Sequence, residues 1–303
     1  MPLGAVKVGL FAAAGAAGGA TGAGYFGGGK TPTKVTTVDR FLFSDDSRTT
    51  LGTGLSAATE SLAGMAGTVA GYFGGGTTGS LVTTVDRFLF SDDSRTTLGT
   101  GLSATTRSLG AMASDVAGYF GGGFNDDPAD DEVTTVDRFL FSDDSRTTLG
   151  TGLSAATQAL AGMASTVAGY FGGGYVSGSV DTVDRFLFSD DSRTTLGTGL
   201  SAANQDGAAM ASTVAGYFGG GAGLGATVNR FLFSDDSRTT LGTGLSSARS
   251  HLAGMASADA GYFGGGYGSP DTTVDRFLFS DDSRTTLGTG LSAGTGKLAA
   301  MAS

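Results

Sequence analysis

The sequence contains no cysteine and no tryptophan, and His251 is its only histidine. The absence of cysteine excludes disulfides, thiolate metal sites and a thiol nucleophile. A single histidine excludes a site built from several histidines and argues against a histidine-based catalytic triad. We therefore expect no metal, no cofactor and no catalytic residues.

Positive charge is also scarce, because 18 Lys and Arg stand against 28 Asp and Glu, for a net charge of −10. This balance argues against nonspecific binding to nucleic acid or to an anionic membrane. The apolar stretch at residues 8–20 is too short and too rich in glycine to span a bilayer. Two interpretations of residues 1–22 remain open, a signal peptide and a Gly/Ala-rich segment that packs on the domain or attaches it to a neighbour. We favour the second.

What the sequence does contain is one 19-residue stretch, Val-Asp-Arg-Phe-Leu-Phe-Ser-Asp-Asp-Ser-Arg-Thr-Thr-Leu-Gly-Thr-Gly-Leu-Ser, in six nearly identical copies. The copies differ only at Asn229, where the others have Asp. They begin at Val38, Val85, Val136, Val183, Val228 and Val274. A repeat of about 45–50 residues is typical of an array in which each unit buries its apolar surface against its neighbours.

One repeat contains four strand-like pieces, at residues 62–66, 69–76, 83–90 and 95–102, with a polar turn at residues 91–94. Four short strands per repeat are typical of a propeller blade. In the third strand, alternate residues give two largely apolar faces, as a sheet between two neighbours requires. We expect Phe41, Phe43 and their equivalents to be buried between blades.

The two chain ends complement each other. A Gly-Tyr-Phe-Gly-Gly-Gly strand precedes the first 19-residue copy, and the last repeat stops after its first strand, at residues 298–303. Each end supplies the strand that the other lacks if the units close into a ring. We therefore predict an all-β fold, a six-bladed β-propeller of four-stranded blades over residues 23–303, closed by pairing of the N- and C-terminal strands.

The aromatic strand that ends in a glycine run, as in residues 72–76, followed by a variable loop and a second aromatic strand, resembles the kelch-repeat β-propellers. The chain departs from them in lacking tryptophan. Its Ser-Asp-Asp-Ser-Arg turn is similar to a degenerate Asp-box, and the combination looks like kelch-like repeats of phage and cyanobacterial proteins. That resemblance implies a virion adhesin, a tail-associated protein or a decoration protein, and hence a virion-associated location.

Most repeated polar residues are expected to be structural. Arg40 and its copies should bind a backbone carbonyl or a carboxylate such as Asp45 or Asp46 between blades. The six repeated strand tyrosines should lie in the core or along the channel. The acidic loop at residues 125–132 lacks the ligand spacing of a calcium loop, so we interpret it as solvated.

Two loops vary between copies, the one joining the second and third strands and the one joining each blade to the next. In an up-and-down blade both emerge on the same face of the disc, where loops on a rigid scaffold can bind partners. Drift in loops that tolerate change is the alternative. The candidate partner-binding residues of this variable face are Lys30, Lys34, Glu60, Arg107, Phe124, Tyr175, Gln205, Arg249, His251, Tyr267 and Lys297.

Three function classes follow. The first is a non-enzymatic binding or structural module for a protein or glycan, with no nucleic acid partner and no membrane insertion, able to assemble into a larger particle. The second is an intracellular protein–protein scaffold in the cytoplasm. The third, a propeller glycosidase or lyase, is disfavoured because near-identical blades repeat the same groups, whereas an acid opposite a base requires asymmetry.

Overall fold

A computed structural model describes residues 11–12, 15–16, 22–126, 131–267 and 272–303. In this part of the chain all regular structure is β, and the principal sheets are six antiparallel sheets of four strands. Neighbouring inner strands approach one another in a closed circle. The predicted six-bladed propeller is thus confirmed.

The strands of the blades, from the channel outward, have closely matching bounds. The inner strands are β8 (Ala63–Ala66), β12 (Gly110–Ala113), β18 (Ala161–Ala164), β22 (Ala208–Ala211), β26 (Ala253–Ala256) and β30 (Ala299–Ala302). The second strands are β3 (Ala23–Gly27), β9 (Ala70–Gly74), β13 (Ala117–Gly121), β19 (Ala168–Gly172), β23 (Ala215–Gly219) and β27 (Ala260–Gly264).

The third strands carry the Val-Asp-Arg-Phe-Leu sequence (Val-Asn-Arg-Phe-Leu in β24), and the outer strands are only three residues long. The third strands are β6 (Val38–Leu42), β10 (Val85–Leu89), β16 (Val136–Leu140), β20 (Val183–Leu187), β24 (Val228–Leu232) and β28 (Val274–Leu278). The outer strands are β7 (Arg48–Thr50), β11 (Arg95–Thr97), β17 (Arg146–Thr148), β21 (Arg193–Thr195), β25 (Arg238–Thr240) and β29 (Arg284–Thr286). The outer strands are shorter than predicted because pairing with the third strand ends before the Gly-Thr-Gly segment.

Three short hairpins accompany the blades in the part of the chain that the structure describes. They are formed by β1 (Phe11–Ala12) with β2 (Gly15–Ala16), β4 (Lys30–Thr31) with β5 (Thr33–Lys34), and β14 (Phe124–Asn125) with β15 (Asp131–Glu132). Between them, β1 and β2 approach the inner strands of all six blades, which places this hairpin near the centre of the ring. The rest of the predicted segment 1–22, apart from Gly22, lies outside the described residues.

The ring closes through blade 1, whose sheet has the order β30-β3-β6-β7. The C-terminal strand β30 pairs antiparallel with β3, and Met301 lies opposite Tyr25. The Ser303 backbone N–H also donates to the Ala23 carbonyl at 2.8 Å. The chain ends therefore complete one composite sheet, as the sequence predicts. Blades 2 to 6 follow in chain order.

Small residues set how closely the blades approach. The methionine of each inner strand packs over a glycine in the next blade's second strand, and a Cβ on Gly118 would overlap the Met65 sulfur. Along the channel wall Gly and Ala alternate from blade to blade. Each of these glycines faces an alanine carbonyl of the preceding blade, and a Cβ on Gly162 would overlap the Ala111 carbonyl oxygen. The narrow channel thus requires glycine at alternate positions.

Aromatic rings fill the space between the blades. Phe41 and its five equivalents are buried, as predicted. Phe43 is only partly buried, because it lies near the end of the sheet and stacks on Tyr262 of the preceding blade, with 5.3 Å between ring centroids. The prediction of full burial was therefore wrong for Phe43, although the residue does lie between blades.

The Ser-Asp-Asp-Ser turn joins adjacent blades, and its two aspartates have different roles. Asp45 accepts the Ser47 backbone N–H at 3.0 Å and shapes the turn. Asp46 adopts a left-handed conformation, φ 56°, which Asp tolerates better than most residues. From there its carboxylate accepts the Tyr262 hydroxyl at 2.9 Å and pairs with Arg276 at 3.3 Å, both from the preceding blade.

This Tyr–Asp–Arg contact between blades, which we call the latch, occurs at all six interfaces. The accepting residues are Asp46, Asp93, Asp144, Asp191, Asp236 and Asp282. The expectation that the repeated arginines bind a carboxylate between blades is confirmed, and the carboxylate is that of Asp46 and its copies.

A second contact between blades uses the aspartate of the third strand. Asp86 is buried, and it accepts the Ser56 backbone N–H and hydroxyl from the preceding blade at 2.7 and 2.8 Å. Its other oxygen accepts the Thr97 hydroxyl at 2.6 Å and pairs with Arg95 at 3.4 Å. In blade 5 the neutral Asn229 occupies this position, so Arg238 bonds to Thr240 without an aspartate opposite it.

Alkaline pH should weaken the ring. Burial, followed by the neighbouring aspartate, raises the pKa of the six latch tyrosines well above its usual value. A raised folded pKa contributes stability that is complete below the ordinary tyrosine pKa and is lost as pH rises. Each tyrosine should therefore remove about 1.4 kcal/mol per pH unit above about pH 10. Urea denaturation at fixed pH values between 8 and 12 measures this slope in the free energy of unfolding, and Tyr119→Phe should reduce the slope. Tyrosinate absorbance of the folded protein shows at which pH the tyrosines ionise. Free titration near pH 10 in the folded protein would contradict the prediction.

The blade 5 exception provides a matched pair of variants. Asn229→Asp should restore the aspartate–arginine pair and increase the free energy of unfolding by about 0.5–1 kcal/mol, since Arg238 is partly exposed. Asp184→Asn creates the same exception in blade 4 and should reduce the free energy of unfolding by a similar amount. Urea denaturation of the two variants tests both. If Asn229→Asp also destabilises the protein, burial of the carboxylate outweighs its pairing.

Candidate functional site around the channel mouth

The two variable loops of each repeat are joined by backbone hydrogen bonds on one face of the disc. Phe124 follows the glycine run of blade 3, and its N–H donates to the Arg107 carbonyl at 2.8 Å while Arg107 returns the bond at 3.1 Å. Such pairs are reciprocal in five repeats, and in the sixth the Ala222 N–H donates to Gln205. The predicted meeting of the two loops on one face is therefore confirmed.

Inside these pairs, six backbone hydrogen bonds form a closed circle around the channel mouth. The residue two positions before each inner strand donates its N–H to the carbonyl of the equivalent residue in the preceding blade, at 2.6–2.9 Å. We call these six residues the mouth ring: Ser61, Ser108, Ala159, Asp206, His251 and Lys297. All six adopt φ of 56–58°, a costly conformation for most residues other than glycine. The circle fixes the backbone here whatever the side chain is.

The side chains of the mouth ring divide it into two halves. Asp206, His251 and Lys297 are consecutive around the circle, and the small residues Ser61, Ser108 and Ala159 complete it. All six line a cavity of about 120 Å³ at the mouth, whose deeper wall consists of inner-strand alanines and glycines. The polar groups on one side of this cavity therefore differ from those on the other, although the scaffold is sixfold.

His251 is the centre of the charged half. Its Nε2 lies 3.2 Å from Asp206 and its Nδ1 lies 3.2 Å from the Ser250 hydroxyl. Burial lowers the His251 pKa, and Lys297 adds to this effect while Asp206 and Glu60 oppose it. The exposed Tyr267 ring packs on the imidazole, with 5.0 Å between centroids.

The hydrogen-bonded series Ser250–His251–Asp206 resembles the residue order of a hydrolytic triad. It lacks the free backbone amides that such a triad has beside it. The Ser250 N–H donates to Tyr267 and the His251 N–H donates to Asp206. The Ser250 and His251 amides are thus already bonded to carbonyls and do not point into an oxyanion hole.

Glu60 lies between two lysines on the same side. Its residue is only 7% exposed, and its carboxylate oxygens lie 3.8 Å from Lys34 Nζ and 3.8 Å from Lys297 Nζ. Tyr267 is close enough for Glu60 to help raise its pKa, after burial. Glu60 therefore balances the charge of the two lysines and offers a partner little exposed surface.

The other candidates occupy the outer part of the variable face. Arg107 lies over the Phe124 ring, 4.6 Å from its centroid. Tyr175 is partly buried, and Gln205 accepts the Ser179 hydroxyl at 3.0 Å. Lys30 is exposed.

Arg249 does not belong to the exposed surface. Its side chain is fully buried, where it donates to the Gly265 and Thr273 carbonyls at 2.8 and 2.9 Å and pairs with Asp275 at 2.6 Å. The interpretation of Arg249 as a contact residue is therefore corrected. It varies between copies because it supports the ends of one variable loop.

The opposite face carries the repeated turns, joined by bonds such as Phe90 N–H to the Val69 carbonyl at 3.0 Å. It also displays an exposed valine in four consecutive blades, at 57–68% exposure. These are Val69, Val116, Val167 and Val214. Blade 6 has Asp259 at this position.

The described residues contain neither a metal-binding cluster nor a helix that could span a membrane. No group of three or more His, Asp or Glu side chains is arranged to hold a metal ion there. This part of the chain also lacks a helix long and apolar enough to cross a bilayer.

The chain matches no protein-family model, and no curated protein sequence is similar to it. The fold and the site geometry therefore carry the functional argument.

Sequence reasoning missed four of the six mouth-ring residues as candidates: Ser61, Ser108, Ala159 and Asp206. A signal was available, because this column differs between copies while the strand that follows it is nearly constant. The circle of hydrogen bonds that makes the column important has no sequence signature of its own.

Proposed function

We propose that this protein is a non-enzymatic binding module that contacts a protein or glycan through its variable face. One observation carries the proposal. The six pairs of variable loops are held on a single face around the mouth ring, while the repeated strand tyrosines, the third-strand arginines and the second aspartates of the turns are engaged between blades. A propeller is compatible with a binding or scaffold role, and rigid scaffolds commonly bind through such loops.

Binding is favoured over catalysis by how the polar groups are used. The third-strand arginines and the second aspartates of the turns hold the blades together, and the Ser250 and His251 amides are already bonded. The remaining differences between blades are arranged around one opening, which suits recognition of one partner from one side.

The similarity of the repeat to kelch-like proteins of phages favours attachment on a virion, as an adhesin, tail-associated or decoration protein. An intracellular scaffold would use the same face, so the proposal about the face is independent of location.

Two matched triple variants test the face. The wild-type protein is first used to recover ligands from a glycan array and a displayed peptide library. The affinity of each recovered ligand is then measured for two variants, Phe124→Ser/Tyr175→Ser/Tyr267→Ser and Val69→Ser/Val116→Ser/Val167→Ser. The first variant should weaken binding at least tenfold, about 1.4 kcal/mol, with little change in melting temperature, because these rings contribute contact area. If only the valine variant loses binding, the partner lies on the repeated-turn face and the proposal is wrong.

A further inference from the structure

The buried Arg249 shows what the space between two blades can bind. Its Nη1 donates to the Gly265 and Thr273 carbonyls at 2.8 and 2.9 Å, and its Nη2 donates to Asp275 Oδ2 at 2.6 Å. Asp275 pairs at the same time with Arg284, through its other oxygen at 3.4 Å. Two carbonyls and one shared carboxylate thus bind a guanidinium group in blade 6.

The same acceptors occur in blade 4, where a threonine replaces the arginine. Gly173, Thr182 and Asp184 occupy the equivalent positions, and Thr157 stands in the place of Arg249. The Gly173 N–H donates to the Thr182 carbonyl at 2.9 Å, and the corresponding pair in blade 6 is bonded at 3.0 Å. The Thr157 hydroxyl turns back to the carbonyl two residues before it, at 2.9 Å. Blade 4 therefore keeps the acceptors while the side chain at the arginine position points elsewhere.

The carboxylate in blade 4 has capacity for one more donor. Asp184 Oδ2 accepts the Ser154 N–H and hydroxyl at 2.7 and 2.8 Å, and its Oδ1 pairs with Arg193 at 3.3 Å. Asp275 has the same set of contacts and the Arg249 contact as well. The Asp275 side chain is 0% exposed, against 5% for Asp184. The residual exposure of Asp184 corresponds to the contact that Arg249 makes in blade 6.

Gly173, Thr182 and Asp184 all line one cavity of about 280 Å³ between blades 3 and 4. The equivalent cavities between blades 1 and 2, 2 and 3, and 6 and 1 have volumes of only about 20–40 Å³. One water needs about 10–15 Å³ and one benzene ring fits in about 150 Å³, so among these four only the first accommodates a side chain. Its lining includes the exposed Ser154 and Ser177, so the cavity opens to solvent on the variable face.

Much of the cavity wall is apolar. The larger apolar side chains that line it are Leu153, Leu160, Phe171, Val176 and Val180. Such a wall suits the methylene stem of an arginine side chain, because the stem packs on apolar surface while the charged end meets polar groups.

The acceptors select a cationic donor. An anion would face the Asp184 carboxylate, and a neutral group would lose the charge-assisted part of the hydrogen bond. A lysine ammonium is a compact point charge, whereas a planar guanidinium presents its N–H groups at fixed angles, as Arg249 does in blade 6. The net charge of −10 also favours a cationic partner.

We propose that the cavity between blades 3 and 4 binds an arginine side chain of a protein partner, in the way that Arg249 occupies the equivalent space in blade 6. The guanidinium donates to the Gly173 and Thr182 carbonyls and to Asp184. This inference rests on the proposed function, because both variable loops of blade 4 line the cavity. It narrows the partner from a protein or glycan to a protein that presents an exposed arginine.

The binding test uses three small probes on the full chain, measured by NMR titration and calorimetry. N-acetyl-arginine methylamide, the capped arginine, should bind with a Kd in the millimolar range. N-acetyl-citrulline methylamide has nearly the same shape but a neutral urea group, and it should bind at least tenfold more weakly. Free L-arginine should bind no more tightly than the capped arginine, because the partner's arginine lies within a chain.

Two matched variants locate the site. Asp184→Asn should weaken binding of the capped arginine at least tenfold, since it removes the charged acceptor. Asp86→Asn makes the same change in blade 2, where the cavity is only about 20 Å³, and should leave the affinity unchanged. Asparagine occurs naturally at this position as Asn229, so both variants should fold, and melting temperature verifies this.

A third variant fills the cavity from within. Thr157→Arg should abolish binding of the capped arginine without lowering the melting temperature, because the new side chain takes the place that Arg249 takes in blade 6. If Thr157→Arg does not fold, the comparison of Asp184→Asn with Asp86→Asn still decides the question.

Equal binding of the capped arginine and the capped citrulline, binding of neither, or an equal effect of Asp86→Asn would overturn the inference. Retained binding by a folded Thr157→Arg variant would also overturn it. Tighter binding of free L-arginine would overturn the assignment to a protein, in favour of a small-molecule ligand. Recovered ligands that lack arginine but depend on the variable-face aromatics would overturn only this inference. The broader proposal fails when recovered ligands depend on the valine face, so the two failures are distinguishable.

Discussion

The structure depends on contact between adjacent blades. Each blade extends the second aspartate of its Ser-Asp-Asp-Ser turn to the tyrosine and arginine of the preceding blade, and the sixth latch joins blade 6 to blade 1 through Tyr262 and Asp46. Buried hydrogen bonds of this kind are costly to leave half made. Every interface has one copy of the latch. A substitution in one copy therefore weakens that interface, and no other residue replaces the lost contact. The near-identity of the repeats is what this constraint would produce, and Asn229 shows how small a tolerated change is.

Residue identity can vary freely between blades only where the side chain takes no part in a contact between blades. In the mouth ring the backbone forms the circle, so serine, alanine, aspartate, histidine and lysine all occur there. Variation around the ring is not all available to partners, however. Asn204 and Arg249 replace a threonine and turn inward to hold their own variable loops, Asn204 through the Gly220 carbonyl at 3.0 Å. The surface a partner can meet is thus smaller than the set of variable positions.

Much of the fold could be predicted from sequence, because a repeat spacing, strand alternation and complementary chain ends are all local or arithmetic signals. The common face of the variable loops followed from strand order. The rest depended on three-dimensional detail. Burial of Arg249 and Glu60 depends on where loops fold back, and the partial exposure of Phe43 depends on where a sheet ends. The mouth ring consists of backbone bonds between equivalent residues of adjacent blades, which no side-chain pattern records.

A rigid circle of backbone bonds supports a variable set of side chains at the channel mouth. Amide hydrogen exchange of the native protein measures this directly, because exchange reports local opening. The N–H groups of Ser61, Ser108, Ala159, Asp206, His251 and Lys297 should be protected to nearly the same degree as those of the inner strands. The amides of Gly52 and Thr53, in an exposed loop outside the strands, should exchange much faster. Fast exchange at the six ring amides, with protected strands beside them, would contradict the account, because the mouth would then be a set of independent loops.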